Sequence, residues 1–288
     1  MNDCLHRFVF EHQPVRGSLA SLDASWHAVL ERRSYPPVIR AVLGEAMAAA
    51  VLLAATIKFD GLMTLQIQSQ GVLRLLVVQI TAQRTVRGLA RWEGVPQAGS
   101  LAELCAHGQL ALTIDPGRGR ETYQGVVALD GATLAEALEA YFARSEQLPT
   151  RLVLAADGQR AAGLLVQRLP GEAEDADAWN RVEQLTATLS AAELLGLRAD
   201  TVIRRLFHEE DLRVFEPDPV AFRCTCSRAR AGGMLQALGP DELREILAEQ
   251  GEVTVDCEFC GQRYAFDAVD AEGLLTPGTQ AGVSGTRH

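Results

Sequence analysis

Four of the chain's six cysteines fall between residues 224 and 260, as C-T-C at 224–226 and C-E-F-C at 257–260. No other feature constrains the chain's possible structure as tightly. Cys224 and Cys226 are two apart, so on extended chain both side chains face one way. Cys257 and Cys260 are followed by Gly261, and the flanking runs 253–255 and 263–266 read as short strands. A C-x-x-C-G turn between strands is a knuckle that converges two sulfurs, with glycine taking the positive φ. Cys224, Cys226, Cys257 and Cys260 can then close a tetrahedron around one Zn2+ at Zn–S distances of ~2.3 Å. Four sulfurs leave no position for water, which disfavours hydrolytic zinc chemistry. An iron–sulfur cluster, or free thiols in a small core, are the alternatives that the spacing leaves open.

Metal at this place has physical consequences. Residues 222–266 are too few for a strong core, whereas structural zinc contributes ~10–16 kcal/mol. Losing the ion is therefore expected to unfold this end. Zinc also keeps its sulfurs as thiolates, the form that oxidants attack. Arg223, Arg228, Arg230 and Arg263 lie close in sequence and are expected to add to that polarisation.

Composition narrows the rest. A chain of 288 residues has the length of about two domains. Its net charge of −10 argues against a general binder of phosphate backbones. The longest apolar run, Ala46 to Ile57, falls short of the ~20 residues of a membrane span, and no secretory signal is evident, so a cytoplasmic protein is expected. Lys58 is the single lysine and is followed by Phe59, so neither a phosphate-binding loop ending in Gly-Lys-Ser/Thr nor a kinase lysine can be assembled.

Residues 1–170 read as an α+β domain. Strand patterns occur at 4–12, 17–23, 62–69, 73–81, 85–92, 110–115, 122–129, 152–156 and 162–167. Pro36 and Pro37 open a long Ala- and Leu-rich helix over 38–57, and 133–145 has helical spacing. Consecutive strands with few helices between them indicate antiparallel sheets rather than alternating βαβ units. Residues 171–221 form an acidic helical linker that carries a large share of the negative charge. In it, Trp179, Val182, Leu185, Leu189, Ala192 and Leu195 mark one helix face, and Val202, Ile203, Leu206 and Phe207 a second, with Asp200-Thr201 as its cap. Pro217 and Pro219 end helical structure. Residues 222–270 form the zinc-binding unit, and 271–288 read as a disordered tail.

The cysteine block and its surroundings resemble the redox-regulated heat-shock holdase family, the 33-kDa chaperonins. The resemblance rests on F-R-C-T-C-S-R at 222–228, G-P-D-E-L at 239–243 and V-D-C-E-F-C-G-Q-R-Y-A-F-D at 255–267. It extends to R-F-V-F near residue 7, Y-P-P at 35, Y-Q-G-V-V-A-L at 123, S-E-Q-L-P-T at 145 and G-L-L-V-Q-R-L-P at 163. It implies an ATP-independent chaperone, not an enzyme, that protects unfolding proteins from aggregation under oxidative and heat stress. In the implied mechanism, Zn2+ on the four cysteines holds the reduced, inactive form. Oxidation forms Cys224–Cys226 and Cys257–Cys260 disulfides, expels zinc, unfolds the C-terminal unit and destabilises the linker. The resemblance also implies a homodimer when oxidised, client transfer to ATP-dependent foldases, and resetting by cellular thiol reductants. The linker's apolar faces are expected to pack on the first domain in the reduced state and to meet clients when released.

Two other classes compete. A zinc-ribbon nucleic-acid binder suits a closed zinc site but not the negative charge. A thiol–disulfide oxidoreductase using C-E-F-C would place that motif at a helix N-terminus after a strand. Outside the block, Cys105 reads as a buried inert thiol in a short apolar helix, and Cys4 as incidental. His208 and the run Glu209, Glu210 and Asp211 read as solvated surface, and His6, His12 and His27 show no triad spacing.

Overall fold

The computed structural model describes residues 3–117, 120–129, 131–172 and 174–275. The chain divides into two compact units, one running to Arg223 and the other beginning at Cys224.

The first unit is built around one helix. Its elements are β1 (Cys4–Phe10), β2 (Val15–Leu22), α1 (Ala24–Leu30), α2 (Pro37–Thr56), β3 (Leu62–Gln68), β4 (Leu73–Thr81), β5 (Thr85–Trp92), α3 (Leu101–Leu104), β6 (Gln109–Asp115), β7 (Tyr123–Ala128), α4 (Leu134–Tyr141), β8 (Thr150–Ala156), β9 (Ala161–Arg168), α5 (Ala178–Ala187), α6 (Ala191–Gly196), α7 (Ala199–Phe207), β10 (Leu212–Val214), β11 (Asp218–Pro219) and β12 (Ala221–Phe222). Pro37 stands at the first turn of α2, where its missing N–H costs nothing and its fixed φ favours helix. Apolar residues then occur all round α2, so it must be covered on every side. It is the one described helix long and apolar enough to cross a membrane, and here it is the core helix.

Two sheets supply that cover. The first has the order β10-β1-β2-β9-β8, with β11 also paired to β1. The second has the order β12-β5-β4-β3-β6-β7. Every pairing is antiparallel except β12 with β5. The α+β reading therefore stands. Leu43, Met47 and Leu52 of α2 share a continuous core with Leu5, Ala20 and Leu22 of the first sheet and Met63, Leu76 and Ile80 of the second.

The outer face of the first sheet is apolar too, and α5, α6 and α7 cover it. Phe8, Phe10, Val15, Leu19, Leu164 and Val166 pack there against Val182, Leu189, Leu194, Val202, Ile203, Leu206 and Phe207. Alternation along β1 sends Leu5 to the α2 side and Phe8 and Phe10 to the linker side, with the register bridging the two. The expected packing of the linker on the first domain is thus what the structure has.

Three local expectations need correction. The face running from Trp179 to Leu195 belongs to two helices, α5 and α6. Ser190 breaks the run by capping α6: its Oγ accepts the Glu193 N–H while the Glu193 carboxylate accepts the Ser190 N–H at 3.0 Å. The cap position of α7 is Arg198, and Asp200 lies inside the first turn, where its charge favours the helix N-terminus. The stretch 171–221 is not helical to its end: β10 (Leu212–Val214) and β11 (Asp218–Pro219) follow α7, and β12 (Ala221–Phe222) begins at its last residue.

The second unit contains α8 (Arg228–Leu238), α9 (Pro240–Gln250), β13 (Val253–Asp256), β14 (Arg263–Phe266) and α10 (Ala268–Leu275). Among the described residues its buried core is six side chains, Ala231, Leu235, Leu243, Val253, Phe266 and Ala271. Two of them are alanines, which matches a unit that needs a further source of stability. Residues 271–275, the start of the expected disordered tail, complete α10, and 276–288 lie outside the described residues.

Candidate metal centre

The C-E-F-C motif forms the tight connection of the antiparallel hairpin β13–β14, whose register pairs Asp256 with Arg263. The Cys257 N–H donates to the Gln262 carbonyl at 2.9 Å, and the Gly261 N–H donates to the Cys257 carbonyl at 2.7 Å. Gly261 has φ +67°, the left-handed value that closes this turn and that glycine adopts without strain. The knuckle anticipated from C-x-x-C-G is therefore present. The motif does not open a helix after a strand, which removes the setting that an oxidoreductase needs.

Cys224 and Cys226 lie on the irregular segment just before α8, whose start is capped by Ser227 accepting the Arg230 N–H. The four sulfurs lie within 4.8 Å of one another. Cys224 Sγ lies 3.6 Å from Cys257 Sγ, and Cys226 Sγ lies 3.3 Å from Cys260 Sγ. A regular tetrahedron with Zn–S bonds of ~2.3 Å has sulfur–sulfur edges of about 3.8 Å. The donor set and its size thus fit one Zn2+, and four sulfurs complete its preferred coordination.

The electrostatics favour a cation. Shielding from water pushes the Cys257 thiol up, and it pushes Cys260, which also faces the sulfurs of Cys226, Cys224 and Cys257, up to about 12. Four thiols this close resist ionising together, and a divalent ion reverses that balance by deprotonating its ligands. Tyr264 is a participant that the motif did not disclose. Its hydroxyl donates to Cys226 Sγ at 3.2 Å, and that bond pushes the phenol up to about 12. Its only sequence signal is the alternation of β14, which is weak in a four-residue strand.

Three of the arginines near the cysteines make bonds within the unit. Arg228 donates to the Ala265 carbonyl and to Asp270, and its guanidinium lies 4.3 Å from the Phe266 ring centre. Arg230 binds the Thr225 carbonyl and hydroxyl, and Arg263 forms a two-pronged pair with Asp256. These bonds tie the small unit together around its sulfurs.

The remaining sequence candidates lie apart. Cys105 is 1% exposed, and burial pushes its thiol up to about 11, in keeping with an inert role. Cys4 lies on β1 with its Sγ 3.2 Å from His6 Nε2, and burial pushes this thiol up as well. His12 faces Glu174 and Asp211, His27 faces Asp23 and Gln159, and His208 faces Glu209.

A protein-family model described as "Hsp33 protein" matches residues 3–267. The chain belongs to the Hsp33 family. Curated relatives bearing the name 33 kDa chaperonin include that of Nitrosococcus oceani, 52% identical over 99% of both chains. That of Chromobacterium violaceum is 47% identical over 100% of this chain and 98% of its own. The crystal structure of the 33 kDa chaperonin of Thermotoga maritima, 26% identical, superposes with a TM-score of 0.81 over 95% of this chain and 98% of its own. Hsp33 proteins are heat-shock chaperones, and the four-cysteine cluster described above is compatible with zinc and with redox disulfides.

Proposed function

We propose that this chain is an ATP-independent holdase of the cytoplasm, kept inactive by Zn2+ on Cys224, Cys226, Cys257 and Cys260 and switched on by oxidation of those cysteines. The observation that carries this reading is the convergence of four sulfurs within 4.8 Å in a unit with a six-residue core. A unit built this sparsely depends on its ion, so any chemistry that removes the ion removes the fold.

Peroxide supplies that chemistry. Forming each disulfide takes two electrons and two protons from a pair of thiols, and one peroxide, its O–O bond broken, is reduced to two waters. In the folded unit each sulfur lies close to sulfurs of the other pair, and the proposed bonds are Cys224–Cys226 and Cys257–Cys260. That pairing is the one that the resemblance to the holdase family implies, and a Cys224–Cys226 bond requires the chain to bend there. Residues 171–221 then act as a second, opening layer. Lifting α5–α7 bares Phe8, Phe10, Leu19, Leu164 and Val166, an apolar sheet face suited to unfolded polypeptides. The acidity of 171–221 keeps the released segment in solution. The oxidised protein works as a homodimer, thiol reductants reset it, and clients pass to ATP-dependent foldases.

The test is client light scattering with and without peroxide, with disulfides mapped by mass spectrometry. Suppression of aggregation only after oxidation, with the two local disulfides, is expected. Equal suppression by the reduced zinc form would overturn the reading.

A further inference from the structure

One stretch, residues 211–223, closes an edge of each sheet in the first unit. It runs antiparallel to the whole of β1, with Phe8 opposite Val214 and Leu5 opposite Asp218. The Glu11 N–H donates to the Asp211 carbonyl and the Arg7 carbonyl accepts the Phe215 N–H, both at 2.9 Å. The Asp3 carbonyl accepts the Val220 N–H at 3.1 Å. Backbone groups alternate along an antiparallel strand, so the odd-numbered residues of β1 face this strap and the even-numbered ones face β2. The strap then crosses to the second sheet. There the Ala221 N–H donates to the Arg84 carbonyl and the Arg223 N–H to the Val86 carbonyl, both at 3.2 Å. The next residue is Cys224.

The strap is anchored by side chains at its ends, where Leu212 packs on the linker-side core and Val220 and Phe222 on the α2 core, and is more exposed between them. Val214 is 52% and Phe215 38% exposed. Pro217 and Pro219 have no N–H to give. The main side-chain tie is Asp218, whose Oδ2 lies 2.9 Å from both Arg7 Nε and Arg84 Nη2. Arg213 also pairs with Glu11, and the guanidiniums of Arg7 and Arg213 lie over the Phe215 ring. Beside these ties runs a ladder of main-chain bonds, which an extended segment of another sequence can reproduce.

The geometry points to β1 as a strand-pairing site for unfolded polypeptide, which the strap occupies until the switch opens. An extended client segment takes the strap's place and adds a strand to the first sheet. Main-chain pairing explains tolerance of client sequence, which an apolar face alone does not provide. Arg7 and Arg84, freed from Asp218, favour a carboxylate on the incoming segment at that level. The occupant follows from the chaperone reading, on which this inference rests.

Amide-resolved hydrogen exchange on the full chain tests it, with carboxymethylated α-lactalbumin as a permanently unfolded client. Oxidation should lower the protection of the Val9 and Glu11 amides by about tenfold or more, and the client should restore it, while Phe8 and Phe10 stay protected throughout. In the zinc-bound form, Asp218→Asn should raise exchange at Val9 and Glu11 without peroxide. If the client co-elutes with the oxidised protein and these amides stay fast, the strand-pairing inference falls and the chaperone reading stands. If no client co-elutes, the chaperone reading itself falls. Protection that returns without client and rises with protein concentration would assign the edge to a second copy, contradicting the proposed occupant.

Discussion

Phe207 of α7 meets Phe10 of β1 edge to face, with ring centres 5.3 Å apart and planes at 72°. Phe8 completes the cluster at 5.8 Å from Phe207. This is the tightest aromatic link between the linker helices and the sheet they cover. It sets how readily the cover lifts.

Phe207→Ala should therefore loosen the cover selectively. Truncating a buried phenylalanine costs ~3–5 kcal/mol, and here the loss falls on α7 while the α2 core stays intact. The expected outcome is client protection by the reduced protein, read by light scattering, with zinc content unchanged. Full inactivity of the reduced variant would count against the cover.

Gly17 offers an independent handle on the same layer. It pairs with Phe8 across β1 and β2, and a Cβ placed on it would lie 2.1 Å from Phe8 Cζ. Gly17→Ala must displace the Phe8 ring from beneath α7. Overpacking of this kind costs ~1–3 kcal/mol, so the urea midpoint should fall and basal activity should rise together.

Metal removal should act on the other unit. Cys257→Ser leaves three sulfurs, so zinc stoichiometry should drop and the hairpin and α8–α10 should lose protection in hydrogen exchange. The α2 core should keep its own. Retention of one tightly held zinc by this variant, checked by metal analysis, would contradict the four-sulfur site.

The pH dependence of stability should carry a signature of Glu45. It lies on the core helix α2, and burial raises its carboxyl to about 7 from an ordinary value of 4.5. The folded state therefore favours the protonated form. Stability on this account is greatest below pH 4.5, falls as pH rises to 7, and levels off above it, with a total loss of at most about 3 kcal/mol. Glu45→Gln should flatten that slope in urea melts at pH 5 and pH 8, with its largest gain at pH 8.

Much of this was legible in the residues themselves. Strand alternation located the main strands because each sheet has one face on the α2 core, and Pro36-Pro37 marked the start of α2. The C-x-x-C-G turn fixed the knuckle because its geometry is local. What escaped was set by distant partners. Leu212 to Phe222 is too short and proline-broken to read as strands, and it becomes strand only because β1 and β5 offer open edges. Helices α8 and α9 between the cysteine pairs went unread because their apolar residues are sparse, with few buried positions in the six-residue core. Tyr264 reaches Cys226 only through the pairing of β13 with β14.

The central claim is that a sulfur-held ion keeps the chaperone closed. It is tested most directly by following zinc release and suppression of client aggregation in one sample during a peroxide titration. The account predicts that the two rise together, with one zinc lost per chain at full activity. Full activity with zinc still bound, or complete zinc loss without activity, would contradict it.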